Sequence, residues 1–361
     1  MSVTLGSWLG WASRDDPPVT SGAILAERLT AQGLAGPPLP DPVAVAERLL
    51  AVQGQDPRGF RLAVRARTEG LTAAEVERAM SEDRTLVVTW LNRGTLHLVR
   101  GEDYPWLQAL TTPPLLTSST RRLRQEGVSE AEAERGLATI ERALGDEGPL
   151  TRVQLRERLD SAGVPTEGQA MIHLLFLAAV RGLVVRGPMV GKQHAYVLVR
   201  DWLGEPHSVD REKALAALAR RYLVGHQPAT DRDLTRWAGL PLRDARAGLA
   251  AIASELEEGE DGLLRLVKRP APGEIPAPRL LGAFDPVLLG WTSREPILGP
   301  HTNLVTRNGI FHPFAMAGGK AVAKWGFPGG EVKLQPLQRL PAKTAAALEA
   351  DAADVTRFLE V

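Results

Sequence analysis

Gln53 and Gln55 are the residues of this chain whose type and spacing most invite chemistry. Gln53 continues the apolar stripe of PVAVAERLLAVQ, four residues after Leu49 and three after Leu50. Helical spacing therefore turns it inward, where Leu or Ala would be expected. Gly54 ends that predicted helix and Gln55 stands on the turn before Asp56. Two carboxamides flanking a glycine can converge on one small polar site. Neither titrates near neutrality, so neither is a general base, but each donates and accepts hydrogen bonds and can hold a water. The plainer reading is that polar residues at a helix end satisfy loop carbonyls. Asp56 is better explained as a helix cap than as a catalytic base.

Other chemistries find less support. With no Cys in the chain, disulfide scaffolds, thiolate zinc sites, iron–sulfur clusters and cysteine nucleophiles drop out together. His207, His226, His301 and His312 show no metal-ligand spacing. No Lys is placed to suggest Schiff-base lyase chemistry. Neither metal nor cofactor is expected.

The elements that must position the glutamines follow one pattern three times: three helices, then a two-stranded ribbon. In the first copy the predicted helix Pro42–Gln53 is followed by Asp56-Pro57, an N-cap with proline at the first helical position. That helix runs to about Arg67, and Thr72-Ala73-Ala74-Glu75 is a capping box for the next. Strands at Leu86–Trp90 and Thr95–Arg100 are joined by Asn92-Arg93-Gly94. Three helices and a hairpin make a winged helix-turn-helix. The second copy has a helix over 129–145, one capped by Thr151, one capped by Thr166, and strands at Leu183–Arg186 and Tyr196–Val199. The third has Arg211–Leu223, a Thr230 cap, a helix opened by Pro241 and a strand at Leu263–Val267. Second helices start near positions 57, 152 and 231, so the repeat is structural and not sequence-level.

Beyond Arg269, PAPGEIPAP reads as a linker to a β-rich tail, in which Val305–Phe311 carries an Asn308-Gly309 signal for a type I′ hairpin. An amphipathic helix from about Ala342 to Leu359 closes the chain. The expected fold class is α+β: three tandem winged helices and a C-terminal β subdomain around a concave DNA-binding surface. The units are 1–20 (a mobile extension in which Trp8 and Trp11 could dock), 21–125, 126–207, 208–270 and 271–361. The apolar run Met171–Val180 is too short to span a bilayer, which takes about 20 apolar residues, and the first residues lack a signal-peptide pattern. A cytoplasmic, nucleoid-associated monomer without membrane contact is expected.

Charge constrains any nucleic-acid role. Lys plus Arg and Asp plus Glu both number 43, giving zero net charge, so phosphate contacts require cations gathered on one face. The 36 arginines among those cations are more simply codon bias than a sign of bidentate phosphate contacts. The third helix of the first copy, TAAEVERAMSED, carries Glu75, Glu77, Glu82 and Asp83 and is a poor groove helix. That of the second copy is apolar nearly all round, hence core. Only the third offers Arg243 and Arg246, with Asp244 between them. In the tail, Arg294, Arg307, Lys320 and Lys324 lie on or beside tight turns, and a tip such as Arg307-Asn308 could enter a minor groove. The alternative is that these are solvated turn charges.

LLAVQGQDPRGFRLAVRAR and TWLNRGTLHLVRGEDYPWL, with AFDPVLLGWTSRE and NGIFHPF, resemble the AlkZ/YcaQ family of winged-helix DNA glycosylases. The likeness runs from about Ile24 to the end. It implies three tandem winged helices and a C-terminal β-region. It also implies that Gln53 and Gln55 match the catalytic Gln-x-Gln of the AlkZ branch, not the Gln-x-Asp of the YcaQ branch. A family hairpin thought to probe the minor groove maps onto Val305–Phe311. Arg93 and His97, in the matching RGTLH wing, would line the lesion-side surface, although a strand histidine often only packs and bonds a carbonyl. Gly54 between the glutamines would leave the loop looser than an apolar residue.

The chemistry is coherent with amides. N7-alkylguanine and N3-alkyladenine carry positive charge, so the glycosidic bond breaks toward an oxocarbenium sugar without acid assistance, and positioned water completes hydrolysis. The expected function is a monofunctional DNA glycosylase for cationic alkylated purines in double-stranded DNA, including interstrand crosslinks. The alternatives are a non-catalytic DNA-binding or regulatory protein on the same scaffold, and a protein-interaction module.

Overall fold

The structure is a computed structural model and describes residues 22–191, 193–205 and 208–359. The predicted extension over 1–20, with Trp8 and Trp11, and His207 lie outside the described residues.

Helix α1 (Gly22–Ala31) precedes a repeat of α2 (Pro42–Leu49), β1 (Val52–Gln53), α3 (Pro57–Arg65), α4 (Ala73–Ser81), β2 (Leu86–Leu91) and β3 (Thr95–Arg100). Two helices that the sequence reading leaves unassigned, α5 (Tyr104–Thr111) and α6 (Pro113–Gln125), lead to the second repeat. It comprises α7 (Glu130–Glu147), β4 (Leu150–Thr151), α8 (Arg152–Ser161), α9 (Ala170–Val180), β5 (Val184–Val190) and β6 (Gln193–Leu198). After α10 (Val199–Leu203), the third repeat has α11 (Arg211–His226), α12 (Asp231–Ala238), α13 (Leu242–Ala251), β7 (Leu256–Glu258) and β8 (Leu264–Leu266). The C-terminal region holds β9 (Arg279–Leu281), α14 (Glu295–Leu298), β10 (Phe314–Ala317), β11 (Lys320–Gly326), β12 (Lys333–Pro336) and α15 (Ala342–Leu359).

Each repeat also places a short extended segment between its first two helices, and that segment pairs with the repeat's own ribbon. β1 pairs with β3, β4 with β6, and Ala229 bridges Leu264 of β8. The first two ribbons merge through Val88 and Arg186 into one sheet of order β1-β3-β2-β5-β6-β4. One sheet thus crosses the expected boundary at residue 125. The C-terminal strands form a separate sheet, β12-β11-β10-β9. Helix α9 fills the core, with Leu174, Leu175 and Ala178 fully buried.

Three local expectations give way. The helix of the first copy stops at Leu49 because Leu50 takes φ +63°. Gly225 of α11 sits so close that a Cβ there would lie 2.4 Å from the Arg48 carbonyl. The chain leaves the helix beside this contact, and Gln53 emerges on a strand. Thr166 does not cap α9. Its hydroxyl donates to Asp160 (2.5 Å), and α9 begins after a turn at Gln169. Val305–Phe311 is closed by a single Val305–Phe311 bridge, and only Gly309 has positive φ (+76°). The turn is therefore a β-turn over Thr306–Gly309 with an added left-handed glycine, not type I′, which needs positive φ at both central residues. The two-residue turn with both φ positive is Gly318-Gly319, joining β10 to β11.

A buried ion pair ties these units together. Arg67, fully buried, donates through both terminal nitrogens to Asp285 (2.9 and 3.0 Å) and through Nε to the Gln32 carbonyl (2.7 Å). Gln32 in turn donates to the Gly225 carbonyl at 2.7 Å. With its donors met, the guanidinium joins α1, the first repeat, α11 and the C-terminal region without an orphaned charge.

Candidate active site

β1 lies antiparallel to β3 with Val52 opposite Leu98 and Gln53 opposite His97. Beyond it the Gly54 N–H donates to the Leu96 carbonyl (2.7 Å), and the Leu96 N–H donates to Gln55 Oε1 (3.2 Å). The Thr95 hydroxyl lies 3.3 Å from Gln53 Oε1 and 3.2 Å from the Asn92 carbonyl. Both carboxamide oxygens are thus anchored by consecutive residues of β3. Among the described residues neither amide nitrogen has a protein partner. Gln53 is 6% exposed and Gln55 is exposed. Asp56 caps α3 by accepting from the Gly59 N–H (2.6 Å), as its position before Pro57 requires. The loop is not loose at Gly54. Its backbone lies flat on β3, and an added Cβ would sit 3.4 Å from Leu96 and His97 backbone atoms.

His97 is buried, so it does not line a surface. Its Nδ1 meets the Thr95 carbonyl at 2.9 Å, and burial, with the Arg93 charge second, pushes its pKa down to about 3. The imidazole stays neutral at physiological pH and packs across from Gln53. Arg93 (φ +56°) donates through Nη1 to the carbonyls of Arg236 (2.8 Å) and Trp237 (2.7 Å) in the last turn of α12.

A circuit of contacts leads from the glutamines to the C-terminal region and back. Gly59, in the first turn of α3, abuts Ala283, whose carbonyl would lie 2.3 Å from a Cβ at that position. The next residue, Phe284, sets its ring 5.4 Å from that of Phe311, which closes the Val305–Phe311 loop. The Arg294 guanidinium lies 5.0 Å from the Phe311 ring, and Arg236 is near enough to lower its pKa after burial. Arg236 leads through Arg93 to Thr95 and Gln53. The exposed tip Arg307-Asn308 stands on this rim.

The other candidate cations lie off this circuit. Arg243 is 3.7 Å from its neighbour Asp244, and Arg246 donates to Asp231 at 2.7 Å. Lys320 flanks the Gly318-Gly319 turn, whose second glycine packs on Leu25 and Leu29 of α1, and Lys324 lies on β11. Thr95, Phe284 and Arg236 escape sequence reading. Only Thr95, at the start of a predicted strand, carried any signal. Two cavities of about 170 and 270 Å³, beside α6–α7 and α8–α9, include neither glutamine. Among the described residues no group of three His, Asp or Glu could hold a metal ion, and no helix is long and apolar enough to cross a membrane.

The result is a mixed helical and stranded fold with two anchored carboxamides near a group of arginines. The family described as DNA glycosylase AlkZ-like matches residues 46–358, and the chain belongs to it. The interstrand DNA cross-link repair glycosylase of Streptomyces sahachiroi is 30% identical over 363 residues, covering 92% of this chain and 95% of that protein. The solved structure of the Streptomyces sahachiroi DNA glycosylase AlkZ superposes with a TM-score of 0.77 at 26% identity, covering 94% of this chain and 97% of that one.

Proposed function

We propose that this DNA glycosylase releases cationic alkylated purines from duplex DNA, N7-alkylguanine and N3-alkyladenine in type, including purines tethered across the two strands. The relative named for interstrand cross-link repair supports the last clause. The three repeats act as tandem winged helices, the C-terminal region closes a DNA-holding concavity, and the protein works as a monomer.

The observation that carries the reading is the anchoring of both amide oxygens on β3. With Gln53 Oε1 beside the Thr95 hydroxyl and Gln55 Oε1 on the Leu96 N–H, the carboxamides are held in register. Each has a free –NH₂, and each carbonyl keeps a second lone pair. A water can accept from one amide and donate to the other, its oxygen directed at C1′. The C1′–N bond breaks with its electron pair leaving to the purine, which neutralises the ring charge. Water then bonds to the oxocarbenium carbon and gives its proton to solvent. Neutral His97 takes no proton in this scheme. The loop tip Arg307-Asn308 enters the minor groove, with Arg294, Lys320 and Lys324 toward the backbone, while Arg243 and Arg246 would have to exchange Asp244 and Asp231 for phosphate.

The test is an oligonucleotide duplex holding one N7-methylguanine. Wild type yields an abasic site, Gln53→Ala/Gln55→Ala does not, and a uracil duplex is left intact. Efficient uracil excision, or equal release by the double variant, contradicts the mechanism.

A further inference from the structure

We propose that Arg93, Arg236 and Arg294 form one binding site for the DNA backbone, a phosphodiester clamp beside the glutamines, a proposal that rests on the reading of the chain as a DNA glycosylase. The three side chains come from the wing turn after β2, the last turn of α12 and the segment before α14. Arg93 Nη1 is held by the carbonyls of Arg236 and Trp237. The approach is close enough that a Cβ on Gly239 (φ +72°) would lie 2.9 Å from Arg93 backbone and side-chain atoms. Arg294 donates through Nε to the Leu288 carbonyl (2.9 Å), and its guanidinium lies beside Phe311. These bonds fix the stems and leave the terminal nitrogens of Arg294 and the whole fork of Arg236 unused.

Among the described residues none of the three meets a carboxylate. Arg65, Arg67, Arg221 and Arg265 all do, at 3.0 Å or less. Like charges gathered without counter-charge repel, and burial followed by Arg236 and Arg294 depresses the pKa of Arg93. Asp233, the carboxylate one turn before Arg236, is committed to the Thr230 hydroxyl (2.9 Å) and the Thr292 hydroxyl (2.8 Å). An anion supplied from outside satisfies this arrangement, and guanidinium forks suit the two free oxygens of a phosphodiester. The clamp also meets a need of the reaction. Three guanidinium charges oppose both a cationic purine and an oxocarbenium sugar, so the site becomes favourable to that chemistry once backbone phosphate neutralises them.

Binding of an undamaged 21-base-pair duplex, followed by fluorescence anisotropy across a salt series, tests the clamp without relying on base release. Arg236 is exposed and its side chain supports no bond of the fold, so Arg236→Gln keeps the wild-type melting temperature. Its plot of log affinity against log salt is shallower by about 0.9 for each phosphate released. Arg232→Gln, one turn earlier on α12, keeps the wild-type slope. Replacing single phosphates by neutral methylphosphonates weakens wild type at one or two linkages and leaves Arg236→Gln unchanged there. An unchanged slope in Arg236→Gln overturns the clamp, even if N7-methylguanine is released normally. A reduced slope with no base release from wild type upholds the clamp and overturns the glycosylase mechanism instead.

Discussion

The first repeat and its two successors solve the same junction differently. In the second, strand residue Thr151 is itself the cap of α8, closed by a box in which its N–H donates to Gln154 Oε1 at 2.9 Å. In the third, Ala229 makes the bridge and Thr230 at once caps α12, its N–H donating to Asp233 at 2.9 Å. Pairing residue and cap coincide or adjoin, and the one carboxamide of the third junction, Gln227, precedes the bridge and is buried with its oxygen accepting from the Leu266 N–H (2.8 Å). In the first repeat Gly54 and Gln55 intervene between the paired Gln53 and the cap Asp56. The extra length carries carboxamides whose oxygens are answered from across β3. A junction that elsewhere only starts a helix has become a polar site, and the left-handed Leu50 just before it marks the strain of that detour.

The comparison breaks first at the glutamines. Gln53→Ala is expected to slow release of N7-methylguanine by about 10²–10³-fold, the loss typical of one preorganised polar group. Its melting temperature stays near wild type, because no buried donor is orphaned when Thr95 keeps the Asn92 carbonyl. The caps behave oppositely. Thr151→Ala and Thr230→Ala each lower stability by about 1 kcal/mol, read by urea denaturation, while release per folded molecule is unchanged. Slower release in the cap variants at temperatures where they remain folded would erase the distinction between the junctions.

That distinction was only partly legible in the sequence. Asp56-Pro57, Thr72, Thr151 and Thr230 announce their helices because capping is a local hydrogen bond between residues three apart, and α15 follows from periodicity alone. The strand holding Gln53 was hidden. Leu49, Leu50 and Val52 extend a helical stripe, and the positive φ of Leu50 that breaks it has no local sign in the residue types. Thr166 has a cap's identity but is drawn to Asp160. The arginine clamp depends on three segments that only tertiary packing brings together. Its one local trace is that Asp233, spoken for as a capping partner, leaves Arg236 without an acid.

Protonation sharpens the contrast between site and core. The glutamines do not titrate, and buried His97 has its pKa depressed from 6.5 to about 3. Release is therefore expected to be flat between pH 6 and 8 under single-turnover conditions, and a limb near pH 6.5 would implicate an imidazole. Stability is not flat. Unfolding lets His97, and likewise His226 on α11 with a pKa of about 3, regain an ordinary affinity for protons. The unfolded state binds more protons below about pH 6.5, so stability is full above that pH and is lost as pH falls toward 3. The loss is at most about 1.4 kcal/mol per pH unit for each histidine. His97→Gln should flatten part of this acid limb.

The smallest effect is expected at Gly54, and it separates two reasons for a glycine there. Its φ is not positive, so no left-handed geometry demands it. A Cβ would meet the Leu96 and His97 backbone at 3.4 Å, ordinary van der Waals contact. Gly54→Ala is compatible with the strand, and it narrows the unfolded ensemble. It should change stability by no more than about 1 kcal/mol, in the stabilising direction. Release should stay within about twofold of wild type, because the Gly54 N–H still donates to the Leu96 carbonyl and the Leu96 N–H still donates to Gln55 Oε1. If Gly54→Ala instead loses activity as Gln53→Ala does, the glutamines need a loop free to move against β3, and the rigid register described for the first junction is not the catalytic one.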